Sequence, residues 1–295
     1  MTHHPRTMER EDLNAALALV NRSLAFDQVT ASLLNEKIWE DAQFDPKLAL
    51  VVEADGCLIG LAIAVMRRNS ESLRGYIKLI AVDPDHRKQG IGTSLLDALE
   101  KILLPRTKWI LLGESAPNYL WPGLDPRYTD AMVFFEKRGY NRYSDTSNLS
   151  VDLLSLPQIP PSPVGMNIRR ARPEDRMACR EFVMDKWYEW LPEVTQAFAN
   201  DPISLHLAFV DEQLIAFAGY DCNNRGTGWF GPMATGPRYR RKGLGRTLLL
   251  HCLADMVDQG LERAVIPWVG PVAFYNRAVG AVVDRVFYRM DKRSD

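Results

Sequence analysis

The sequence predicts an α/β fold, a mixed and mostly antiparallel sheet with flanking helices, built twice in one chain. Three observations predict it. First, RKQGIGTSLL, beginning at Arg87, recurs as RRKGLGRTLL, beginning at Arg240, so that Gly90 and Gly92 match Gly243 and Gly245 at a constant offset. Second, each copy follows a strand-like apolar run and opens a stretch with apolar residues at three-to-four-residue spacing, the pattern of a helix with one buried face. Third, the same order of elements surrounds each copy, over a length far greater than a solenoid unit, which makes the repeat one of whole domains.

The elements follow in order. In the first half, RTMERED leads into a helix, LNAALALVNRSL, and a weaker second helix. The strands LALVVEA and CLIGLAIAVM are joined by Asp55-Gly56, a hairpin signal. GYIKLIAV is the next strand, and the glycine loop opens a helix with Ile91, Leu95, Leu96, Leu99, Ile102 and Leu103 on one face. The strand KWILLG, an insertion running from about Ser115 to Arg127, the helix DAMVFFEKRG and two closing strands complete this half. The second half repeats the plan: NIRRARPED, the helix MACREFVMDKW, the strands ISLHLAFV, LIAFAGY and GWFGPMA, then a loop-headed helix with Leu244, Leu248, Leu249, Cys252 and Leu253 inward. The strand RAVIPWV, the helix PVAFYNRAVG and the strand VDRVFYRM close it. Between the halves, LPQIPPSPVG has four prolines in ten positions and neither period, so it reads as an extended linker. The expected domains are residues 1–155 and 166–295, with 156–165 between them.

Composition narrows the function classes. A chain of 295 residues suits two domains, and 46% hydrophobic content suits ordinary cores. A formal net charge of −1 argues against a dedicated nucleic-acid binder, whose domain is usually basic. The four cysteines, Cys57, Cys179, Cys222 and Cys252, show no metal-ligand spacing and no disulfide framework, so no metal is expected and a reducing cytoplasm fits. MTHHPRTMER lacks the apolar stretch of a leader, and no apolar run reaches the ~18 residues of a membrane span. The expectation is a cytoplasmic monomer or homodimer with no nucleic-acid or membrane partner.

The repeated loop carries the chemistry. A helix opening on glycines leaves its first backbone N–H groups unpaired, and together with the helix dipole they form a seat for a phosphate or pyrophosphate. Glycine lets the backbone approach such a ligand without a Cβ in the way. The expected binding residues are Val82, Arg87, Lys88, Gln89, Gly90, Ile91, Gly92 and Thr93 in the first half. In the second they are Met233, Thr235, Arg240, Arg241, Lys242, Gly243, Leu244, Gly245 and Arg246. A single G-x-G is equally a tight turn with solvated charges; two copies in one context favour the ligand. The spacing is not that of a P-loop, the third glycine of the dinucleotide fingerprint is missing, and antiparallel strands before the loop disfavour a Rossmann unit.

The R-x-x-G-x-G signature at Arg87–Gly92 and Arg240–Gly245, with FFEKRGY and FYNRAVGA as a late helix in each half, resembles the GCN5-related N-acetyltransferase (GNAT) family. The resemblance covers nearly the whole chain and implies two tandem GNAT-like domains and acetyl-CoA as the cofactor. It implies a pantetheine arm lying where the strand before the loop splays from the strand after it. The implied reaction is direct attack of a neutral amine on the acetyl thioester, with backbone N–H groups near Ile80–Val82 or Met233–Thr235 as oxyanion donors. Tyr275 matches the family's tyrosine acid, against a plain reading as a half-buried core aromatic; Phe135 holds that place in the first half and cannot donate a proton. The second domain is therefore the expected catalytic one. Tyr275 lies one residue further from its following glycine than the family's usual spacing, and the asparagine common before this helix is absent.

No glutamate stands on either strand before the loop. Asp221 and Glu114 are candidate bases, each also read as a solvated strand-end carboxylate, and His206 reads as structural. For the acceptor, the insertion offers Tyr119 and Trp121, DKWYEWLPEV offers Asp185, Trp187, Glu189 and Trp190, and Asp221 at the end of LIAFAGYD is a further candidate. Aromatics interleaved with polar groups suit a sugar, and equally a packed surface loop. The insertion with IPWVGPVAFYNRAVGA is similar to bacterial amino-sugar acetyltransferases, which implies a small-molecule amine. The rival readings are an acetyl-CoA sensor or scaffold without turnover, a protein or peptide N-acetyltransferase, and a thiol-cofactor synthase of the tandem type.

Overall fold

The computed structural model of this chain describes residues 4–68 and 72–294. Residues 1–3, part of the stretch read for a leader, lie outside them. Packing divides the chain into unit 1, Met1–Thr146 with Phe287–Asp295, and unit 2, Ser147–Val286, and residues 156–165 fall within unit 2.

Unit 1 opens with β1 (Arg6–Thr7), α1 (Leu13–Ser23), α2 (Ala31–Ile38), β2 (Ala49–Ala54), β3 (Cys57–Arg68) and β4 (Leu73–Val82). Thr30 caps α2 by accepting the Leu33 N–H at 3.1 Å, a contact worth ~1 kcal/mol. Asp55 and Gly56 both have positive φ, 50° and 74°, as a two-residue hairpin turn requires. The glycine loop then opens α3 (Ile91–Leu103), followed by β5 (Trp109–Leu112), α4 (Thr129–Lys137) and β6 (Asn141–Asp152). Strands β1 to β4 pair antiparallel in order, and β5 joins β4 in parallel. α1 and α2 cover one face of this sheet through Leu19, Val20, Leu33 and Leu34; α3 covers the other through Leu95, Leu96, Leu99 and Leu103. Each such buried leucine stabilises by about 1.5–3 kcal/mol relative to exposure, so the inner face of α3 anchors the loop at its head.

Unit 2 contains β7 (Asn167–Arg170), α5 (Arg176–Lys186), α6 (Leu191–Ala197), β8 (Leu205–Val210), β9 (Gln213–Tyr220) and β10 (Phe230–Thr235). It continues through α7 (Leu244–Asp258), β11 (Arg263–Ile266), α8 (Val272–Val279) and β12 (Val282–Arg293). β7 to β10 pair antiparallel in order. Leu244, Leu248, Leu249, Cys252 and Leu253 all point inward, as their spacing predicts. The short α6 is not separable in the sequence from the aromatic stretch before it, because Pro192 suits a helix break as well as a first turn.

Two long strands divide their length between the units. β6, expected as two strands, is one, and its residues Leu149–Asp152 pair with β11 in unit 2. β12, expected to close the second half, pairs with β5 of unit 1 from Asp291 to Arg293, where Lys292 Nζ also donates to Glu100 Oε2 at 2.8 Å. Alternation of residue types marks a strand but does not name the edge it joins, so the sequence carries no signal for this exchange. Among the described residues no helix is long and apolar enough to cross a membrane.

Candidate cofactor and active site

The two glycine loops repeat in backbone as well as in sequence. Gly90 has φ 84° and ψ 0°, and Gly243 has φ 82° and ψ −11°, both left-handed and both immediately before a helix. Two residues earlier, Lys88 (φ 61°) and Arg241 (φ 63°) adopt positive φ despite their side chains. The first helical hydrogen bonds run from Ser94 N–H to Gly90 O at 2.9 Å and from Thr247 N–H to Gly243 O at 3.1 Å. The amides of Ile91–Thr93 and Leu244–Arg246 therefore precede the first of those bonds, the arrangement that receives an anion at a helix head. A Cβ built on Gly90 or Gly243 meets nothing within 4 Å, so the loop mouth is open. A Cβ on Gly92 meets Phe134 Cζ at 3.7 Å and Val82 Cγ2 at 3.6 Å, and one on Gly245 meets Phe274 Cζ at 3.3 Å and Met233 Cε at 3.8 Å. The first glycine of each pair shapes the mouth; the second lets the late helix close against the loop.

The side chains divide the work. Ile91 and Leu244 are buried, so only their backbone faces the loop, whereas Lys88, Gln89, Arg241, Lys242 and Arg246 are exposed and Thr93 is half-buried. The leading arginines hold the turn: Arg87 Nε donates to Val82 O at 3.4 Å and its Nη2 to Ser23 O at 3.1 Å, while Arg240 Nε donates to Thr235 O at 3.2 Å. They tie the loop to the strand end that precedes it.

Beside each loop a strand edge stands open. β4 pairs with β5 only over Gly75, Tyr76 and Ile77, after which Gly113 N–H donates to Ile77 O at 2.8 Å and the chain leaves. In unit 2 a single parallel bridge, Trp229 with Val265, joins the start of β10 to β11. Beyond these points Lys78–Val82 and Phe230–Thr235 run on without a strand on that side among the described residues. An open edge offers alternating N–H and C=O groups to an extended arm. Both strands break register at the same step, between Ile77 and Leu79 and between Phe230 and Met233, with Lys78 and Gly231 as the matching residues at the bulge. Past it, Ile80 and Val82 pack on the α3 side, and Leu79 and Ala81 on the α1–α2 side.

Tyr275 lies in α8 at 8% exposure, edge-on to Phe230 (6.2 Å between centroids) and Phe274 (4.9 Å). Burial alone pushes its hydroxyl up to about 12, so it is protonated at neutral pH. No hydrogen bond to that hydroxyl occurs among the described residues. Phe134 and Phe274 meet the same glycine of their respective loops, which equates Phe135 with Tyr275 despite the extra residue before Gly280. That residue is absorbed at the helix end, where α8 stops on Gly280 with φ 68° and α4 stops on Arg138.

The acceptor candidates separate. In unit 2, Trp187 and Trp190 stack with ring planes 3° apart and centroids 6.3 Å apart, both partly exposed, with Asp185 and Glu189 exposed beside them. Phe182, packed 5.3 Å from Trp187, also lies 3.8 Å from the Cβ position of Gly236, so this aromatic group borders the junction of β10 with its loop. Asp221 sits at the far end of β9 from Ala216, the partner of Thr235; it accepts the Gly226 N–H at 3.0 Å and lines a cleft with Asn200, Asp201 and Arg225. In unit 1, Tyr119 is buried, and Trp121 packs on the α1–α2 core while its indole N–H donates to Asp27 Oδ1 at 3.1 Å. Glu114 is not a solvated strand-end carboxylate. It is 4% exposed, and accepts from Arg289 Nε at 2.9 Å and the Tyr143 hydroxyl at 2.8 Å, because the last strand returns Arg289 to this unit. Burial raises its pKa against the pull of Arg289. His206, read as structural, is buried with Nε2 2.7 Å from Asp255 Oδ2 of α7.

Sequence reasoning missed one constellation. Lys78, at 3% exposure, donates through Nζ to Asp41 Oδ2 at 2.6 Å and to the Lys37 carbonyl at 2.5 Å. Arg67 grips the same carboxylate from β3, and Lys37 Nζ donates to Glu36 and to Asn118 of the insertion. The signal was a lysine inside the apolar run GYIKLIAV. Among the described residues no cluster of His, Cys, Asp and Glu is arranged to hold a metal.

The acetyltransferase (GNAT) family model matches this sequence twice, over residues 19–118 and 168–281. No curated protein matches it. Among solved structures, a region of a fungal multi-domain GH3 β-N-acetylglucosaminidase, described as a GCN5-related glucosamine N-acetyltransferase, is similar at TM-score 0.80 and 19% identity. The match covers 98% of this chain and 38% of that one, so this chain spans well under half of that enzyme. A GNAT from Sphaerobacter thermophilus is similar at TM-score 0.73 and 19% identity, over 99% and 95% of the two chains. A tandem GNAT protein of the clavulanic acid biosynthesis pathway reaches 0.70 at 16% identity, over 100% and 99%. At these identities the likeness is one of fold, and it extends over both units.

Proposed function

Because the chain belongs to the acetyltransferase (GNAT) family, with two family segments in tandem, we propose that it is an acetyl-CoA-dependent N-acetyltransferase whose unit 2 acetylates the primary amine of a small molecule, an amino sugar. The observation that carries the proposal is the conjunction, in unit 2, of an open loop mouth, an open β10 edge and a largely buried tyrosine whose hydroxyl has no partner among the described residues. Acetyl-CoA supplies an activated acetyl thioester when bound. Leu244–Arg246 amides with Arg241 and Lys242 hold the pyrophosphate; amides of Met233–Thr235 orient the carbonyl and receive its developing charge; Tyr275 holds the proton that the departing sulfur needs.

The amino-sugar reading rests on the partly exposed Trp187–Trp190 stack with Asp185 and Glu189 beside it, a surface that suits the apolar face of a pyranose and a cationic amine. The fold relative described as a glucosamine N-acetyltransferase region supports the same class. A thiol-release screen over amino sugars, aminoglycosides, polyamines and peptides tests it, with amino sugars expected to give the highest kcat/KM. Peptides as the best acceptors would overturn the acceptor class, and no thiol release with any amine would overturn the enzyme. A binding role without turnover suits unit 1, where Phe135 stands in the place of Tyr275.

A further inference from the structure

At the strand bulge the two units differ in a way that the duplicated loop does not foreshadow. Gly231 in β10 leaves open space, with nothing within 4 Å of its Cβ position. Lys78, its counterpart in β4, instead turns a buried amine toward the C-terminal end of α2, the face on which unit 2 presents its acceptor candidates. It is the first residue past the β4–β5 pairing, where the open edge begins.

The hydrogen bonding of Lys78 fits the neutral amine. Among the described residues its Nζ has two acceptors, Asp41 Oδ2 and Lys37 O. A neutral amine has two N–H groups to donate and keeps its lone pair uncommitted; an ammonium here would bury a third N–H with no acceptor. The surrounding charge agrees. The groups facing it are Asp41 beyond α2, Lys37 and Glu36 on α2, and Arg67 on β3, so a charged Lys78 would make three cations against two carboxylates. Burial, with Arg67 and Lys37 repelling a further positive charge, brings the amine down to about 7 even though Asp41 opposes it.

We infer that Lys78 is a modification site, acetylated by acetyl-CoA seated on the loop of the same unit. The lone pair attacks the thioester carbonyl, an amide N–C bond forms, the C–S bond breaks, and the amine proton leaves with the sulfur as free thiol. The product leaves the cluster with two cations and two carboxylates. The step rests on reading the unit 1 loop as an acetyl-CoA seat.

Full-length protein is incubated with acetyl-CoA in the absence of any acceptor and mapped by mass spectrometry. One acetyl group on Lys78 is expected, formed faster as the pH rises through about 7. An excess of desulfo-coenzyme A, which keeps the phosphates and has no thioester, suppresses it. Acetyl phosphate, which has no pantetheine arm to carry an acetyl group from the loop along the β4 edge, shows no preference for Lys78. An unmodified Lys78 in protein whose calorimetric acetyl-CoA site is lost in Gly90→Val overturns the inference alone; absence of that calorimetric site overturns the loop reading with it. A readout independent of bound cofactor is the NMR titration of the lysine ε-methylene signals. Lys78 is expected to titrate near 7, and titration in the ordinary range near 10 overturns the inference.

Discussion

Replacing Tyr275 by phenylalanine tests the proposed chemistry with little structural disturbance. The ring stays, and with it the contacts to Phe230 at 6.2 Å and Phe274 at 4.9 Å. The hydroxyl lost has no partner among the described residues, so none of their donors or acceptors is orphaned and stability should change by less than about 1 kcal/mol. A positioned proton donor is worth about 10²–10⁴ in rate, or ~3–5 kcal/mol of barrier. Burial holds the phenol at about 12, which makes it a weak acid and places the expected loss in kcat toward the lower end of that range. The KM for acetyl-CoA should hold, since the proposed pyrophosphate loop is untouched. The sign with pH is also fixed: Tyr275 is already in its donating form throughout the range below about 12, so any alkaline fall in the wild-type rate near pH 9–10 belongs to another group and persists in the variant. The assay is steady-state thiol release with the best acceptor of the screen. A kcat within about threefold of wild type across the pH range would refute Tyr275 as the acid, because no smaller contribution is expected of a positioned donor.

Gly243→Ala places a side chain at φ 82°, costing about 1–2 kcal/mol of backbone strain, and puts a methyl group in the open loop mouth. Acetyl-CoA affinity in unit 2 should fall at least about tenfold by calorimetry, and unchanged affinity would remove the loop from the binding site. Asp41→Asn leaves Arg67 and Lys78 without their shared carboxylate and should destabilise by about 3–5 kcal/mol in urea unfolding; a loss under about 1 kcal/mol would show the cluster to be loose. Lys78 binds its proton more weakly folded, near 7, than unfolded, near 10.4, so its contribution to stability should rise with pH between those values. Lys78→Met should flatten that part of the urea midpoint profile, and an identical profile in the variant would place the titration elsewhere.

The parts of the structure that were legible in the sequence depend on local chemistry. Glycines at a helix head, leucines at helical spacing on α3 and α7, and Asp55-Gly56 between two apolar runs each constrain only neighbouring residues, and each predicted element is present. Tyr275 could be set against Phe135 from the sequence because each is the second member of the aromatic pair in its late helix, Phe134–Phe135 and Phe274–Tyr275. What could not be read was pairing over long distance. Nothing in VDRVFYRM says that Asp291–Arg293 join β5, and without that return Glu114 has no Arg289 and reads as an exposed carboxylate. The charged cluster failed for the same reason: Lys78, Asp41, Arg67 and Asn118 come from four segments, and only the fold brings them together.

The loop and the proposed acceptor face answer to different physics, which accounts for one being duplicated and the other not. A pyrophosphate seat needs backbone amides, two small residues and a helix dipole, so it tolerates different side chains around it, and the dihedral angles at Gly90 and Gly243 differ by only a few degrees in φ. Amine chemistry needs particular side chains at particular places, and there the units part: Lys78 against Gly231 at the bulge, Phe135 against Tyr275 in the late helix. The two differences fit together. An enzyme acting on amines from solution needs an empty acceptor face and a donor that speeds every turnover, and unit 2 has both an open bulge and a tyrosine. A unit that acylates its own buried lysine performs one transfer per chain, needs no entry for an external amine, and can forgo the ~10² in rate that a proton donor supplies. On this account Phe135→Tyr accelerates the modification of Lys78 without creating turnover on free amines, whereas turnover in unit 1 also requires clearing Lys78 from the bulge.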